Sequence, residues 1–404
     1  MTQRLRYTIE TLLVNALVLS TLYQLLVYLA NRRFWRQTPL PPAEDAPSIS
    51  AIVPLQGITL NTAAALHGLA TTGPTDRYEL LLVLESESDP AYPLAQEIAA
   101  AYPATARLVL SGPVGSHAPT LHQLHAGYQA AQGELIALVE PDVQVSAELW
   151  NAALAALTRP TLAAVFAPPL MLEPSPAPPN RYPTGGEMML ALHTNHARTA
   201  GLPLAALSGR GEMLVNGFML FRRAALEQAG GFYHLLDESS PGSSLGRVLR
   251  ENGQAVAMLP APVHILPPRA DFNQATAHLL RLLIVGRAYH PRPFLAWPFT
   301  NPLTVGFILG LITEREGRWW GRRTWWFFAV LRVALAYQLD RIRFRRGFTW
   351  AAYAQLFMYD TFISPLLWAR ALFSRTITWG ERTYRVHQGG KATPLNGPND
   401  RRAV

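Results

Sequence analysis

Short apolar runs of strand length alternate with helical patterns between residues 48 and 139, and no other feature of the sequence constrains the fold as strongly. Strands that alternate with helices in this way predict a parallel, doubly wound sheet of the α/β class. A sheet of this kind binds its ligands beyond the carboxyl ends of its strands. The strand-length runs are Ser48–Leu55, Glu79–Leu84, Arg107–Leu110 and Glu134–Val139.

Acidic side chains follow two of these runs. Glu85, Glu87 and Asp89 come after the second run, and Glu140 and Asp142 come after the fourth. A divalent cation held by such carboxylates neutralises a bound diphosphate, which is what an enzyme with a nucleotide-sugar donor requires. Loops at strand ends are also acidic simply because water solvates them. With two clusters in successive strand–helix units, the two interpretations carry about equal weight.

The apolar stretch Thr8–Ala30 predicts a transmembrane helix, because about 20 apolar residues span a hydrocarbon core. It has no evident cleavage site of a signal peptide, so we expect an uncleaved anchor. Arg32, Arg33 and Arg36 follow it, and positive charge next to a span favours the cytoplasmic side. We therefore expect an integral membrane protein, of the bacterial inner-membrane type, whose following domain faces the cytoplasm.

The charge of the chain is unevenly distributed. Residues 281–404 carry 19 basic and 6 acidic side chains, a net charge of +13, whereas residues 1–280 carry a net charge of −5. The positive charge lies beside apolar runs rather than on a soluble basic domain. A membrane surface is therefore the expected partner, and nucleic acid is not.

Changes in composition predict five segments along the chain. Within the membrane region, Phe294–Thr313 and Thr324–Leu339 are apolar enough to span or to dip into a membrane. The apolar run Ala351–Phe373 contains Asp360, so a simple span is not predicted there. The segments are an N-terminal transmembrane anchor at 1–36, an α/β domain at 37–270, an interfacial helix at 271–293, C-terminal membrane helices at 294–374 and a cytoplasmic-type tail at 375–404.

Metal ligation by a thiolate is excluded, because the chain has no cysteine. The same absence excludes disulfides and cysteine nucleophiles. Three histidines, His117, His122 and His125, invite a metal interpretation, since the last two have helical spacing. Without a carboxylate at matching spacing, ordinary surface or core histidines are the commoner case.

Several single residues are candidates for catalysis. Glu212, Asp237 and Glu238 are candidates for a general base, although a lone carboxylate more often lies in a loop or at a helix end. Arg281 and Arg287 would clamp a diphosphate, or else extend to lipid headgroups. The residues alone leave these alternatives open.

Five segments of the sequence carry a resemblance to a known family. They resemble the ceramide glucosyltransferases and their bacterial relatives, which include the hopanoid-biosynthesis glycosyltransferases. The most specific segment is the last, which is similar to the closing T-x-x-W…Y-R-x…G-G of that family. The segments are S-I-S-A-I-V-P-L-Q-G at Ser48–Gly57, S-D-P-A at Ser88–Ala91, A-G-Y-Q-A-A at Ala126–Ala131, F-R-R-A-A-L-E-Q-A-G-G-F at Phe221–Phe232 and R-T-I-T-W-G-E-R-T-Y-R-V-H-Q-G-G at Arg375–Gly390.

The resemblance implies a GT-A type domain with a doubly wound mixed sheet. It also implies a nucleotide-sugar donor, with a UDP-sugar as the expected form. It also implies a lipid acceptor with a free hydroxyl group, and inversion at the anomeric carbon. Glu140 and Asp142 stand at the second acidic motif of the family and would hold a divalent cation, Mg²⁺ or Mn²⁺. Asp89 keeps one carboxylate of the first motif, and with Glu85 and Glu87 nearby it would contact the donor.

Other motif positions are altered. Thr120 stands where the family has a lysine that favours the donor phosphates, and it is carried over as a donor-binding residue together with His278. Arg281 matches the arginine of the final motif and would stabilise the leaving nucleotide. The acidic motif that contains the general base aligns with Pro241–Ser243, which has no carboxylate, so Asp237 and Glu238 remain as candidates.

Two functions from different classes follow from this reading. The first is a membrane glycosyltransferase, specifically a hexosyltransferase, that moves a sugar from a nucleotide-sugar donor to the hydroxyl of a ceramide-like or hopanoid-like lipid. The second is a catalytically impaired relative that binds a lipid or a partner enzyme, because four of the five family motifs are altered. Transfer of labelled sugar into lipid distinguishes the two.

Overall fold

The computed structural model describes residues 3–37, 47–59, 61–175, 182–209, 214–315, 317–379 and 382–395. The α-helices are α1 Gln3–Phe34, α2 Thr62–Thr71, α3 Tyr92–Ala101, α4 Pro119–Ala130, α5 Ala147–Leu157, α6 Gly185–His193, α7 Leu202–Leu207, α8 Arg223–Gln228, α9 Pro241–Glu251, α10 Phe272–Tyr289, α11 Pro291–Ala296, α12 Pro302–Glu314, α13 Trp320–Phe344, α14 Trp350–Met358 and α15 Ser364–Phe373. The strands are β1 Ile49–Pro54, β2 Tyr78–Leu84, β3 Ala106–Leu110, β4 Leu135–Val139, β5 Val143–Gln144, β6 Leu162–Ala167, β7 Pro169–Met171, β8 Phe218–Arg222, β9 Ala255–Met258, β10 Val263–Ile265, β11 Thr376–Trp379, β12 Arg382–Val386 and β13 Ala392–Pro394.

The chain divides into two compact units. The helical unit comprises Met1–Arg36, Glu173–Leu204 and Ala270–Arg375, and the sheet unit comprises Gln37–Leu172, Ala205–Arg269 and Thr376–Val404. Each unit is therefore built from segments that lie far apart in the sequence.

The main sheet of the sheet unit has the strand order β3-β2-β1-β4-β8-β6-β9 within the described residues. β1 pairs in parallel with β2 and with β4, and β2 pairs in parallel with β3. β8 is antiparallel to both β4 and β6, and β9 is parallel to β6. The α/β class and the mixed doubly wound sheet that the sequence predicts are confirmed.

The core of the sheet unit explains why its central strands are so apolar. All five residues of β4 and most of β1 are buried, because helices cover both faces of a doubly wound sheet. Trp150 of α5 is fully buried, with its ring 5.8 Å from that of Tyr78 and 5.0 Å from that of Phe218, both edge-on. Such aromatic contacts add to the stabilisation from buried area.

The last segment of the sheet unit forms a small antiparallel sheet, which we call the terminal sheet. β12 pairs with β11 on one side and with β13 on the other. Tyr384 and Val386 on β12 and Ile377 on β11 are buried. The sequence pattern predicts only a tail for these residues, and the sheet is an addition that the structure reveals.

One helix of the described residues is long and apolar enough to cross a membrane, at Arg4–Phe34. Pro291–Thr300 and Pro302–Glu314 reach such a length only together, with a bend of 55° between them. α1 exposes large apolar side chains such as Leu12 and Leu19, and Leu17 packs against Val305 and Leu309 of α12. Exposed leucines of this kind match a lipid environment better than water.

Buried polar side chains connect the helices of the helical unit. Arg343 of α13 is buried and donates hydrogen bonds to Asn31 Oδ1 of α1 at 2.9 and 3.0 Å, and to Asn195 O at 2.6 Å. Arg332, also on α13, forms an ion pair of 2.9 Å with buried Asp360, which lies in a π-helical turn. Because Asp360 faces a cation inside the unit, its place within an apolar run is explained.

Gly133 offers a direct test of the fold of the sheet unit. A Cβ atom at Gly133 would lie 2.5 Å from the backbone nitrogen of Ser50 on β1, whereas a Cβ at Gly68 in α2 would meet nothing within 4 Å. Gly133→Ala should therefore lower the free energy of unfolding by about 1–3 kcal/mol. The control Gly68→Ala should be neutral or stabilising by up to about 1 kcal/mol. Thermal unfolding of the full chain in detergent measures both, and equal melting temperatures would contradict the packing described.

Candidate active site

The loops that follow β1, β2 and β4 emerge at one edge of the main sheet. β1 pairs in parallel with β2 and with β4, so that Ile52 lies opposite both Leu81 and Leu138. Parallel strands end on the same side, and we call this side the carboxyl edge. The loops at the carboxyl edge carry the acidic residues singled out in the sequence, Glu85, Glu87, Asp89, Glu140 and Asp142.

Asp89 holds the loop after β2 to the loop after β1. Its Oδ1 accepts a hydrogen bond from the backbone N–H of Gly57 at 2.9 Å and another from the N–H of Ala91 at 2.8 Å. Gly57 has φ +69°, a backbone conformation that favours glycine. The carboxylate thus orders both loops, while Glu87 on the same loop is exposed.

Glu85 is the first residue after β2, and its carboxylate has two partners. Its Oε1 accepts a hydrogen bond from Arg382 Nη2 at 3.0 Å and from the backbone N–H of Val114 at 3.2 Å. Arg382 is the first residue of β12, in the terminal sheet. The hydrogen bond to Glu85 raises the pKa of the Arg382 guanidinium, which is charged in any case.

Glu140 and Asp142 lie in the tight connection between β4 and β5. The N–H of Glu140 donates to Gly217 O at 2.9 Å, and the N–H of Val143 donates back to Glu140 O at 3.4 Å. Both acidic side chains are half-buried. Burial raises the pKa of Asp142, because its charged form is poorly solvated there.

These two carboxylates fit a cation only in part. Within the described residues, no group of three or more His, Cys, Asp or Glu side chains could hold a metal ion. Mg²⁺ and similar cations commonly take one or two carboxylates and complete their shell with substrate phosphates and water. Glu140 and Asp142 supply two half-buried carboxylates, which is the number of protein ligands that such a cation commonly takes.

His117 and Asp237 form a pair that the sequence did not suggest. His117 Nδ1 lies 2.8 Å from Asp237 Oδ1, and both side chains are partly exposed, at 38% and 55%. The ring of His117 stacks on that of His122, whose Nε2 lies 3.1 Å from Ser111 O. Burial and the neighbouring His122 and His117 lower the pKa of His125. His117 thus contacts both His122 and Asp237.

Glu238, next to Asp237, is in a different environment. Its side chain is only 4% exposed and lies 2.6 Å from Arg247 Nη2 of α9. Arg247 also donates to Gly389 O at 2.7 Å. Glu238 therefore contributes to the contact between α9 and the terminal sheet.

The terminal sheet contacts the loops after β2 and β3 and the segment before α9. Tyr384 Oη donates to His117 O at 3.2 Å, and the N–H of Ala392 donates to Asp237 O at 2.6 Å. The N–H of Ser239 donates to Gly390 O at 2.9 Å. Together with the Glu85–Arg382 pair, these bonds fix the loops after β2 and β3 and the segment before α9 to one small sheet.

The segment Pro241–Ser243 forms the first turn of α9. Ser240 caps the helix, with its Oγ accepting from the N–H of Ser243, and the N–H of Gly242 donates to Asn216 Oδ1 at 2.9 Å. A Cβ at Gly242 would lie 2.6 Å from that Oδ1. The turn is tightly packed and supplies no carboxylate.

The remaining candidates lie elsewhere. Thr120 is the second residue of α4 in the sheet unit and is half-buried. His278 and Arg281 lie on α10 in the helical unit, where Arg281 Nη2 is 3.2 Å from His278 Nδ1. Burial, with Arg281 and Arg198 nearby, lowers the pKa of His278 to about 4, so its neutral ring accepts that hydrogen bond. Glu212 falls outside the described residues.

Three comparisons with known proteins bear on this site. The profile of glycosyl transferase family 21 matches residues 12–392. Ceramide glucosyltransferase 1 of Caenorhabditis elegans is 21% identical over 368 residues, which are 87% of this chain and 74% of that protein. The mannosyltransferase PcManGT from Pyrobaculum calidifontis, solved in complex with GDP-Man and Mn²⁺, has a TM-score of 0.54 at 16% identity and covers 87% of this chain and 98% of its own. The shared fold confirms the predicted GT-A type architecture.

Asp89 provides a test of how the carboxyl edge is ordered. Asp89→Ala removes the acceptor for two backbone N–H groups and should lower the free energy of unfolding by about 1–3 kcal/mol. Asp89→Asn keeps an oxygen in the same place and should lose less. Thermal unfolding of the two variants measures the difference. Equal losses would mean that the charge of Asp89, rather than its hydrogen bonds, stabilises the loops.

Proposed function

The chain belongs to glycosyl transferase family 21, and we propose that this glycosyltransferase moves a sugar from a nucleotide-sugar donor to the hydroxyl group of a membrane lipid, with inversion at the anomeric carbon. The observation that carries the proposal is the pair of half-buried carboxylates, Glu140 and Asp142, at the carboxyl end of a central parallel strand. The family match supports the reaction class, and this pair supports a donor site at that end of the strand.

Glu140 and Asp142 would hold Mg²⁺ or Mn²⁺ against the donor diphosphate. When bound there, such a cation neutralises charge that develops on the leaving nucleotide. The mannosyltransferase of similar fold was solved with GDP-Man and Mn²⁺, and we extend that kind of ligand to this chain. Glu85 and Asp89 keep the adjoining loops in place for the donor through the bonds described above. Arg281 matches the arginine of the final family motif, and its role in stabilising the leaving nucleotide stays a prediction.

We assign the general base to Asp237 rather than to Glu238. Asp237 is more than half exposed at its side chain and touches His117, which can share or relay a proton. Glu238 is buried and bonded to Arg247, so an acceptor hydroxyl cannot approach it without breaking that pair. An in-line attack by the acceptor hydroxyl would then pass its proton to Asp237, directly or through His117.

A lipid acceptor is supported by the composition of the helical unit and by the family relative. α1 is long and apolar enough to cross a membrane and exposes leucine side chains along its length. The curated relative is a ceramide glucosyltransferase, and we propose an acceptor of that general kind, a lipid with a free hydroxyl. The arginines at the end of α1 favour a sheet unit on the cytoplasmic side.

A second function is favoured by one specific observation. The position that holds a carboxylate in the family is occupied by the packed turn Pro241–Ser243, which has none. A chain without a general base could still bind a lipid or a partner enzyme. The two functions differ in whether sugar is transferred.

The decisive experiment is transfer of radiolabelled sugar into lipid by membranes that contain the purified chain. UDP- and GDP-sugars are supplied in turn with Mn²⁺, and lipid extracts are separated by chromatography. The proposed function predicts labelled lipid that disappears in the Glu140→Gln/Asp142→Asn double variant. Binding of nucleotide without any labelled lipid would favour the second function.

The same double variant tests the cation site without turnover. The native chain should bind a nucleoside diphosphate more tightly with Mg²⁺ or Mn²⁺ than with a chelator, because the carboxylates alone repel phosphate. The variant should lose this difference, while its melting temperature should not fall, since Asp142 is poorly solvated in the folded chain. Calorimetric titration and thermal unfolding measure the two quantities. Retained cation dependence in the variant would contradict the assignment.

Asp237 and Glu238 are distinguished by a second pair of variants. Asp237→Asn should lower kcat by a factor of about 10² or more and leave donor binding unchanged. Glu238→Gln should chiefly lower thermal stability, because it weakens a buried contact with Arg247. Steady-state transfer rates and melting temperatures of both variants check this. A larger kcat loss in Glu238→Gln at unchanged stability would reverse the assignment.

A further inference from the structure

The terminal sheet lies against loops of the proposed donor site, although the proposed function assigns it no role in binding the donor. The terminal sheet touches the loops at the carboxyl edge through Arg382, Tyr384 and Ala392. Such contacts join residues 85 and 382, which are 297 positions apart. A segment held against a substrate edge by side-chain bonds has the position to contribute a ligand of its own.

The carboxyl edge is rich in negative charge where a diphosphate is to bind. It carries Glu85, Glu87, Asp89, Glu140 and Asp142, and the motif position of the lysine is occupied by uncharged Thr120. The carboxylates there repel a diphosphate, and a further cation beside a shared metal ion would lower that repulsion.

Arg382 is well placed to supply that charge. Its side chain is 40% exposed, and its guanidinium binds Glu85 at the carboxyl end of β2. Arg247, another cation near the terminal sheet, is held away from these loops, since it binds buried Glu238 and Gly389 O. A guanidinium also offers a planar fork of donors that matches phosphate oxygens.

The spacing of the strands is compatible with one ligand that reaches both Arg382 and a cation on Glu140 and Asp142. β1 lies between β2 and β4, and adjacent strands are about 4.8 Å apart, so the ends of β2 and β4 are separated by about 10 Å. An extended nucleoside diphosphate bridges a gap of this size. It would contact Arg382 at one side and the cation on Glu140 and Asp142 at the other.

We propose that Arg382 of the terminal sheet binds the diphosphate of the nucleotide-sugar donor and replaces the lysine that the motif at Thr120 lacks. The proposal rests on the proposed function, because it needs a donor at the carboxyl edge. Glu85 positions the guanidinium in the free chain and competes with the phosphates for it. When the donor binds, its phosphates replace Glu85 as the partner of the guanidinium, and the terminal sheet becomes part of the donor site.

The Glu85–Arg382 pair allows a test in which a merely structural role predicts a different result. Arg382→Ala and Glu85→Gln break the same ion pair. If Arg382 binds phosphate, the first variant should weaken binding of UDP or GDP by about tenfold or more, since charge-assisted hydrogen bonds are lost. The second variant should bind these nucleotides equally or more tightly, because it frees the guanidinium and its amide oxygen can still accept from Val114.

Arg385→Ala is the matched control. Arg385 lies on the same strand, but an odd number of residues from Arg382, so its side chain points to the opposite face. The full chain in lipid nanodiscs is titrated with UDP and GDP in the presence of Mg²⁺, and the control should bind as the native chain does.

The outcomes separate the inference from the function it rests on. Weaker binding in Arg382→Ala alone, with its cation dependence retained, supports the inference. An equal loss in Arg382→Ala and Glu85→Gln, or native affinity in Arg382→Ala, overturns it and leaves the proposed function standing. A native chain that binds neither nucleotide with Mg²⁺ overturns both.

Discussion

The parallel pairing of β1 with β2 and with β4 is the constraint on which the rest of the sheet unit depends. It brings the carboxyl ends of three strands to one edge, because parallel strands share a direction. The strands are buried and apolar, so the polar chemistry lies in the loops that follow them. Asp89 holds two of these loops together by accepting hydrogen bonds from backbone N–H groups. Glu140 and Asp142 lie in the short β4–β5 connection at the same edge.

The terminal sheet is the second organising element of the site. Its strands come from the last part of the chain, yet they hold Glu85, the backbone of His117 and the segment at Asp237. A loop that is fixed at several points loses less entropy when it binds a ligand, so the terminal sheet pre-organises the carboxyl edge. The family resemblance is most specific in this segment, and its contacts give a physical reason for its place in the site.

The apolar runs predicted β1 to β4 correctly, and β1, β2 and β4 are buried on both faces, which leaves a continuous apolar signal. The long run Thr8–Ala30 likewise predicted α1. The terminal sheet escaped prediction, because its short strands are partly exposed and mix arginine with apolar residues. The pair of His117 and Asp237 escaped as well, since its members are 120 positions apart and neither has a local pattern. The sequence shows that Pro241–Ser243 has no carboxylate, but only the structure shows that the turn is packed.

A structure of the full chain with a nucleoside diphosphate and Mn²⁺ tests the account most directly, because anomalous scattering locates manganese without assumptions about its ligands. The account predicts manganese on Glu140 and Asp142, with the diphosphate at the carboxyl edge and in contact with Arg382. Manganese and nucleotide bound away from these residues would contradict it.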